Sequence, residues 1–329
     1  MVWRSTGAAF VSLAFAAMLP SGGASAQTYP ERPVTIVVPL AAGSGMDSLV
    51  RQYGEKLAEA LGKPVVVENK PGAALMLAAT HVATSPPDGY TLAVATSSVM
   101  AINPVLYKKV NYDAQKDFAP ISLYVKSPFI LVVNPDLPVQ SVPELIKYAK
   151  ESANPISFAS TGTGTGLHLA GEYMKLRYGL NMTHVPYRST PQSITDIVAG
   201  HTNMSFAEVG ATLPLIREGK LRALAVSGLT RHPSLPDVPT FAEAANAPDF
   251  EVVSWHMLLA PSGTPKPIVE RLHAEMNKLM ASEDMKEKIT RIGLLPVGPQ
   301  SFDDIQKFLG VERDRWGTLV KNLNLAGTQ

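Results

Sequence analysis

The chain has no cysteine among its 329 residues. That excludes a disulfide scaffold, a thiolate nucleophile and a cysteine metal site together. Charge is scarce as well. Charged residues make up 17% of the chain and the formal net charge is +1, so no broad basic field exists to draw in nucleic acid or an anionic membrane. Beyond the N-terminus no apolar run reaches the roughly 20 residues that cross a bilayer. There is no H-E-x-x-H and no G-x-x-x-x-G-K-[ST], and the seven histidines are scattered without metal-ligand spacing. No metal, no cofactor and no catalytic residue is therefore expected. A chain of this length buries a core large enough to do without disulfides even when secreted.

What is present begins with a leader. Arg4 is the only charge before Glu31. It precedes the apolar stretch AAFVSLAFAAML, too short for a membrane span, then Pro20 and Ala24-Ser25-Ala26, an A-x-A cleavage site. Residues 1–26 read as a secretory signal peptide, with the mature chain starting at Gln27 in the periplasm. Removing Arg4 takes Lys+Arg from 29 to 28 against 28 Asp+Glu, a formal charge of zero.

The rest alternates strand and helix patterns, with 27 prolines spread between them as punctuation. PVTIVVPL is a continuous β-branched run, the mark of a strand buried on both faces. Leu49, Val50, Tyr53, Leu57 and Leu61 lie on one helical face, closed by Gly62. PVVVEN, a helix through Leu77 and Val82, and TLAVAT follow. A second series opens at FILVVNP and continues through a helix capped by Ser141 and Glu144, ISFAS, a helix from Leu167 to Tyr178, THVPY, TNMSFA and LRALAVS. After EVVSWHMLLAP the pattern changes to long amphipathic helices, one carrying Met276 and Met280 and the last starting at Ser301. Parallel βαβ order is the simplest account. The order of the segments predicts a discontinuous first domain, residues 27–125 plus 253–329, with a second domain, 126–252, inserted in it. Two crossings, near Tyr124–Pro128 and Val252–Met257, would make a hinged clamshell.

Two segments share one grammar: TIVVPLAAGSGMD and ISFASTGTGTGLH. Each is an apolar strand, a Gly/Ser/Thr loop and the start of a helix. Such a junction presents unpaired amides and the positive end of a helix dipole, so it holds anions. Two of them in two halves predict a cleft that grips a small anion from both sides. The rival reading is a dinucleotide enzyme, since ISFAS and its glycines are the right context for G-x-G-x-x-G. The third glycine is missing, because Leu167 stands there counting from Gly162 and Leu169 counting from Gly164. Arg188, after THVPY, would suit a 2′-phosphate in that reading.

The segments PLAAGSGMDSLVR, VVVENKPGA, DGYTLAVATSS, NPVLYKKVNYDAQKDFAPIS, STGTGTGLHLAGE, HVPYRSTPQSITDIVAG, GKLRALAVSGLTRHPSLPDVPT, LLAPSGTPKPIVERL and FLGVERDRWGTLVK run in order along nearly the whole mature chain. Together they resemble the substrate-binding receptors of tripartite tricarboxylate transporters, the Bug-type extracytoplasmic solute receptors. The resemblance implies an α/β fold of the two-domain, type II periplasmic-binding-protein (Venus-flytrap) kind, with two Rossmann-like parallel or mixed sheets joined by hinge crossings. It implies a monomer that binds a small carboxylate and delivers it to the permease subunits of such a transporter, or else a sensor that presents its closed form to a signalling partner.

By the same resemblance the first ligand loop falls on Ala42, Gly43, Ser44, Gly45 and Asp47, with Asp47 expected to cap its helix rather than touch an anion. The second falls on Ser160, Thr161, Gly162, Thr163, Gly164 and Thr165. Thr96 and Ser97 fall on another strand end facing the site. Tyr187 and Arg188 end a strand, and Arg188 is the natural counter-ion, although the family often handles carboxylates without an arginine. Glu208 falls where a polar group often faces the cleft; there it pairs with a ligand amine or disfavours a second carboxylate. His168 is expected to make a structural hydrogen bond. Trp255 and His256 line the pocket or pack the hinge. One departure stands out. A glycine pair is usual after Lys70-Pro71-Gly72-Ala73, and here the residues are Ala74 and Leu75.

Overall fold

The computed structural model describes residues 1–3 and 29–329. Residues 4–28, with the apolar stretch and the expected cleavage site, lie outside the described residues. Among those residues no helix is long and apolar enough to cross a membrane.

The first series runs β1 (Val34–Val38), α1 (Gly45–Leu61), β2 (Val65–Asn69), α2 (Met76–Ala83), β3 (Thr91–Thr96), a π-helical turn over Ser98–Ile102 and α3 (Asn103–Leu106). Then comes β4 (Phe118–Val133), 16 residues long. The second series is α4 (Val142–Glu151), β5 (Ile156–Ser160), α5 (Gly166–Tyr178), β6 (Met182–Pro186), α6 (Thr190–Val198), β7 (Met204–Glu208), α7 (Val209–Arg217), β8 (Arg222–Val226) and α8 (Phe241–Ala244). The chain returns through β9 (Val253–Pro261) and closes with α9 (Lys266–Ala281), α10 (Glu283–Arg291), β10 (Leu295–Pro296) and α11 (Phe302–Asn322).

These strands form two mixed sheets that share β4. The first has the order β2-β1-β3-β9-β4, with β10 on the other edge of β4. The second has β8 and β7 on either side of the C-terminal part of β4, then β5 and β6. Within each sheet the βαβ strands are parallel: β1 with β2 and β3, and β5 with β6 and β7. The return strand β9 is antiparallel to both β3 and β4, and β4 is antiparallel to β7 and β8, so the purely parallel account fails at the two crossing strands.

The sequence pattern opens a strand at Phe129, whereas β4 begins at Phe118. Pro120, Ser122, Lys126, Ser127 and Pro128 interrupt the apolar run, and the pattern hides the strand. Antiparallel pairing with β9, from Phe118 opposite Pro261 to Pro128 opposite Val253, holds it. Irregular register between Pro120 and Ser122 and between Leu123 and Val125 accommodates the interruptions. Both crossings between the sheets are therefore strand, not loop. At the point where β4 changes sheet, the buried Ser227 ties the two crossings together. Its hydroxyl donates to the Val252 carbonyl (2.5 Å) and accepts the Phe129 amide (2.8 Å).

Each sheet is covered on both faces. On the first, Tyr53 and Leu57 of α1 pack with Leu272 and Met276 of α9 and Ile289 of α10; Val82 of α2 and Ile305 and Leu309 of α11 pack on the opposite face. On the second, Leu145, Leu169 and Met174 share a core with Ile102, Leu106, Trp316 and Val320, and α6 and α7 cover the other face. Thus α11 starts on the first sheet and ends on the second.

Candidate functional site

The strand directions aim the glycine loops at the crossing. Thr96, the last residue of β3, lies opposite His256 of β9, close to where β9 enters. Glu208, the last residue of β7, lies opposite Phe129, where β4 changes sheet. The C-terminal ends of the parallel strands of both sheets therefore converge on one place, which is where open α/β sheets bind ligands.

The first loop is built on Ser44, the N-cap of α1, whose hydroxyl accepts the Asp47 amide. Asp47 is buried and reaches back to the Gly43 amide (2.9 Å). It also accepts from Asn69 (2.9 Å) and Arg51 (3.0 and 3.1 Å). Burial pushes the Asp47 carboxyl up, but the hydrogen bonds from Arg51, Gly43 and Asn69 outweigh it and hold it below the usual carboxylate range. So Ser44 is the capping residue, and Asp47 is the brace that fixes Gly43 at φ 83. The amides of Ala42, Gly45 and Met46 make no hydrogen bond among the described residues.

The second loop repeats this construction. Thr165 caps α5 by accepting the His168 amide, and the buried His168 reaches back with Nδ1 to the Gly164 amide (3.3 Å). Gly164 has φ 83, like Gly43. The Ser160 hydroxyl bonds Gly162 and lies 2.6 Å from His184 Nε2, and the His184 ring sits 4.1 Å from that of His168. Burial, the neighbouring His184 and Lys175 push His168 down to about 3, and burial and Lys175 push His184 down to about 4. Both imidazoles are neutral near pH 7, and His168 Nδ1 is the acceptor. With these groups engaged, the amides of Thr161, Thr163, Gly166 and Leu167 and the hydroxyls of Thr161 and Thr163 make no hydrogen bond among the described residues.

Two other elements meet the second loop. A Cβ on Gly164 would stand 2.5 Å from Leu106 and 3.6 Å from Asn103 Oδ1; a Cβ on Gly166 would stand 2.8 Å from Phe129. Asn103 is fully buried, donates to the Ala74 carbonyl (2.9 Å) and keeps Oδ1 without a partner. That carbonyl belongs to the turn where glycines were expected, and Ala73, Ala74 and Leu75 all hold positive φ there, at 47, 50 and 71°. Sequence reasoning did not single out Asn103, Asn69 or Arg51. Only the run VVVEN ending at the loop edge hinted at Asn69.

The remaining candidates are placed differently. Thr96 and Ser97 are buried; Thr96 Oγ1 accepts the Ser98 amide, and Ser97 Oγ lies 2.8 Å from Ser254 Oγ. Tyr187 donates to Asp196 (2.7 Å) beneath α6. Arg188 is exposed. Glu208 is partly buried, and burial pushes its carboxyl up. Trp255 and His256 are buried at the return crossing, where Trp255 Nε1 donates to Glu312 (2.7 Å). The two loops thus supply several free amides and hydroxyls. Such a surface can replace the hydration of an anion.

Comparison with known proteins shows the family and the fold. The model of the tripartite tricarboxylate transporter family receptor matches residues 49–325. The UPF0065 protein in the tcbD-tcbE intergenic region of Pseudomonas sp. (strain P51) is 37% identical over 303 residues, 92% of this chain and 89% of that protein. The solved structure of R. palustris Rpa4515 with adipate has a TM-score of 0.85 at 34% identity, covering 91% of this chain and 99% of that one. MatC (Rpa3494) from Rhodopseudomonas palustris with bound malate has a TM-score of 0.81 at 31% identity, covering 89% and 100%.

Proposed function

The chain belongs to the tripartite tricarboxylate transporter receptor family, whose members are solute-binding receptors and not enzymes, and we propose that it is an exported, periplasmic receptor for a small organic acid. The leader sends it out of the cytoplasm and is cut after Ala26. The acid sits between Ala42–Gly45 and Thr161–Thr165. Residues 27–125 plus 253–329 form one lobe and residues 126–252 the other, and the lobes close about the β4–β9 crossing. The closed form hands its ligand to the permease subunits of a tripartite tricarboxylate-type transporter.

The observation that carries this reading is the pair of matched loops. Each keeps amides free at a helix N-terminus, and each is held by its own brace, Asp47 or His168. A carboxylate buried without such donors would be very unfavourable, so both loops must take part. The related structures carry adipate and malate, both small carboxylates.

A ligand that binds only the folded state raises its stability by about 2.7 kcal/mol at a hundredfold excess over Kd. A thermal-shift screen of organic acids, run beside NAD and NADP, should raise Tm with one or a few acids only. Small-angle scattering should then give a smaller radius of gyration with that acid. Shifts with the dinucleotides alone would overturn the receptor reading.

A further inference from the structure

Behind α3 lies a cavity that the glycine loops do not use. α3 turns Asn103 and Leu106, three residues apart, towards Gly164 of the second loop. Pro104 and Val105 therefore lie on its other side. There they line a cavity of about 360 Å³ with Met100 of the π-helical turn, Val110 and Tyr112 from the segment before β4, and Arg313 of α11. Sites for small molecules start at about this size.

The cavity has a local cause. α11 touches α3 at Gly317, where a Cβ would stand 3.6 Å from Val105. Four residues earlier, on the same face of α11, stands Arg313. Its long stem covers apolar surface without filling the space as a branched apolar side chain would.

The polar groups around the cavity are engaged, with one exception in charge. Tyr112 is buried and its hydroxyl donates to the Val99 carbonyl (2.8 Å). Asp113 also lines the cavity, but its carboxylate accepts the amides of Gln115 (2.9 Å) and Lys116 (3.1 Å) and pairs with Lys116 Nζ (2.9 Å). Arg315, two residues along α11, pairs with Glu251 and Glu312. Arg313 is half-buried and makes no ion pair or hydrogen bond among the described residues. A guanidinium without a counter-ion above an apolar wall is complementary to an anion with an apolar body.

We propose that this cavity is a second ligand site, separate from the cleft between the glycine loops, and that it takes a small monocarboxylate with an apolar body, such as an alkyl or aryl acid. The body lies against Val105, Val110 and Tyr112, and the carboxylate pairs with Arg313. The occupant rests on the back of the helix whose front holds Leu106 against Gly164. The inference does not depend on which acid the cleft binds.

The probes are hexanoate, phenylacetate, acetate and hexanol, titrated by calorimetry into mature protein carrying Gly45→Glu. That substitution puts a carboxylate into the first glycine loop, where a Cβ meets nothing within 4 Å and an acid suits the helix start, so it closes the cleft to anions. Hexanoate and phenylacetate should still bind. Arg313→Gln should weaken both acids by about tenfold or more, the usual worth of a charge-assisted hydrogen bond, and should leave hexanol within about threefold. Arg313→Lys, which keeps the charge, should lose less than Arg313→Gln. Acetate, which lacks the body, should bind at least about tenfold more weakly than hexanoate. Affinity for hexanoate that Arg313→Gln leaves unchanged, or that acetate matches, would overturn the proposal. So would no binding of either larger acid up to about 10 mM, a limit near −3 kcal/mol or so. If hexanoate bound only without Gly45→Glu, the acid would belong to the cleft, and the receptor reading would stand while this one fell.

Discussion

Gly43 and Gly164 hold the same left-handed conformation in different surroundings. A Cβ on Gly43 would meet nothing within 4 Å, whereas one on Gly164 would stand 2.5 Å from Leu106, whose side chain is fully buried. Gly43→Ala should therefore cost only the conformational term, about 1 kcal/mol. Gly164→Ala should cost that and a further 1–3 kcal/mol or so for forcing Leu106 out of its packing. Urea denaturation of the two variants gives the comparison, and equal losses would show that Leu106 yields freely. The glycines themselves were legible in the sequence, because a strand followed by Gly-x-Gly and a helix has few other uses. Their braces were only half legible. Asp47 was readable as a helix-start residue and His168 as a structural one, yet which backbone amide each accepts depends on the loop's path. Asn69 and Arg51 come to Asp47 from a neighbouring strand and a helical turn away, and no local pattern announces them.

Among the elements, β4 and α11 carry the most that sequence periodicity cannot express. α11 begins in the core of the first sheet and ends in the core of the second, with Glu312 between. That carboxylate is 4% exposed and accepts both Trp255 Nε1 (2.7 Å) from the return crossing and Trp316 Nε1 (3.0 Å) from its own helix, with Arg315 at 3.0 Å. Trp316 in turn lies 3.6 Å from where a Cβ on Gly166 would stand, behind the second glycine loop. Glu312→Ala would leave two buried indole N–H groups without an acceptor. It should cost about 2–4 kcal/mol, read from urea denaturation, and should alter the near-ultraviolet circular dichroism of both tryptophans. A loss below about 0.5 kcal/mol would mean that water or another acceptor replaces the carboxylate. From sequence, Glu312 reads as one more charge on a solvated helix face. Its role appears only when β9 is brought beneath α11.

At the scale of the whole molecule, neutral histidines are buried or half-buried in both halves. His168 and His184 lie under the second loop and His256 at the return crossing, pushed down to about 3, about 4 and about 4, in each case mainly by burial. All three rest near 6.5 in an unfolded chain. Between those values the unfolded state binds more protons than the folded one, so stability rises with pH across that window. Their contribution is complete above about pH 6.5 and is lost as pH falls towards 4 and below, by up to about 1.4 kcal/mol per pH unit for each histidine. Tm measured from pH 7.5 to 4.5 should therefore fall steadily below pH 6.5. A flat profile to pH 5 would mean that these histidines take up protons without loss of packing.

The sequence by itself determined the alternation of strands and helices, the two glycine loops at helix starts and the family. Each of these is written in local order: an apolar run, a glycine, a capping hydroxyl, a set of motifs in sequence. It also carried the exclusion of thiol and metal-motif chemistry, which follows from composition. Tertiary structure decided the rest. It joined the two sheets through one 16-residue strand whose prolines and lysine conceal it from any periodicity. It sent Thr96, Ser97 and Tyr187 to structural partners, because a strand-end residue can turn to the cleft or to its neighbours and only packing chooses. It also gave two loops of one design two different charges at their core. Burial and hydrogen bonding keep Asp47 ionised and His168 neutral, and those are properties of a place in the fold and not of a residue in a string.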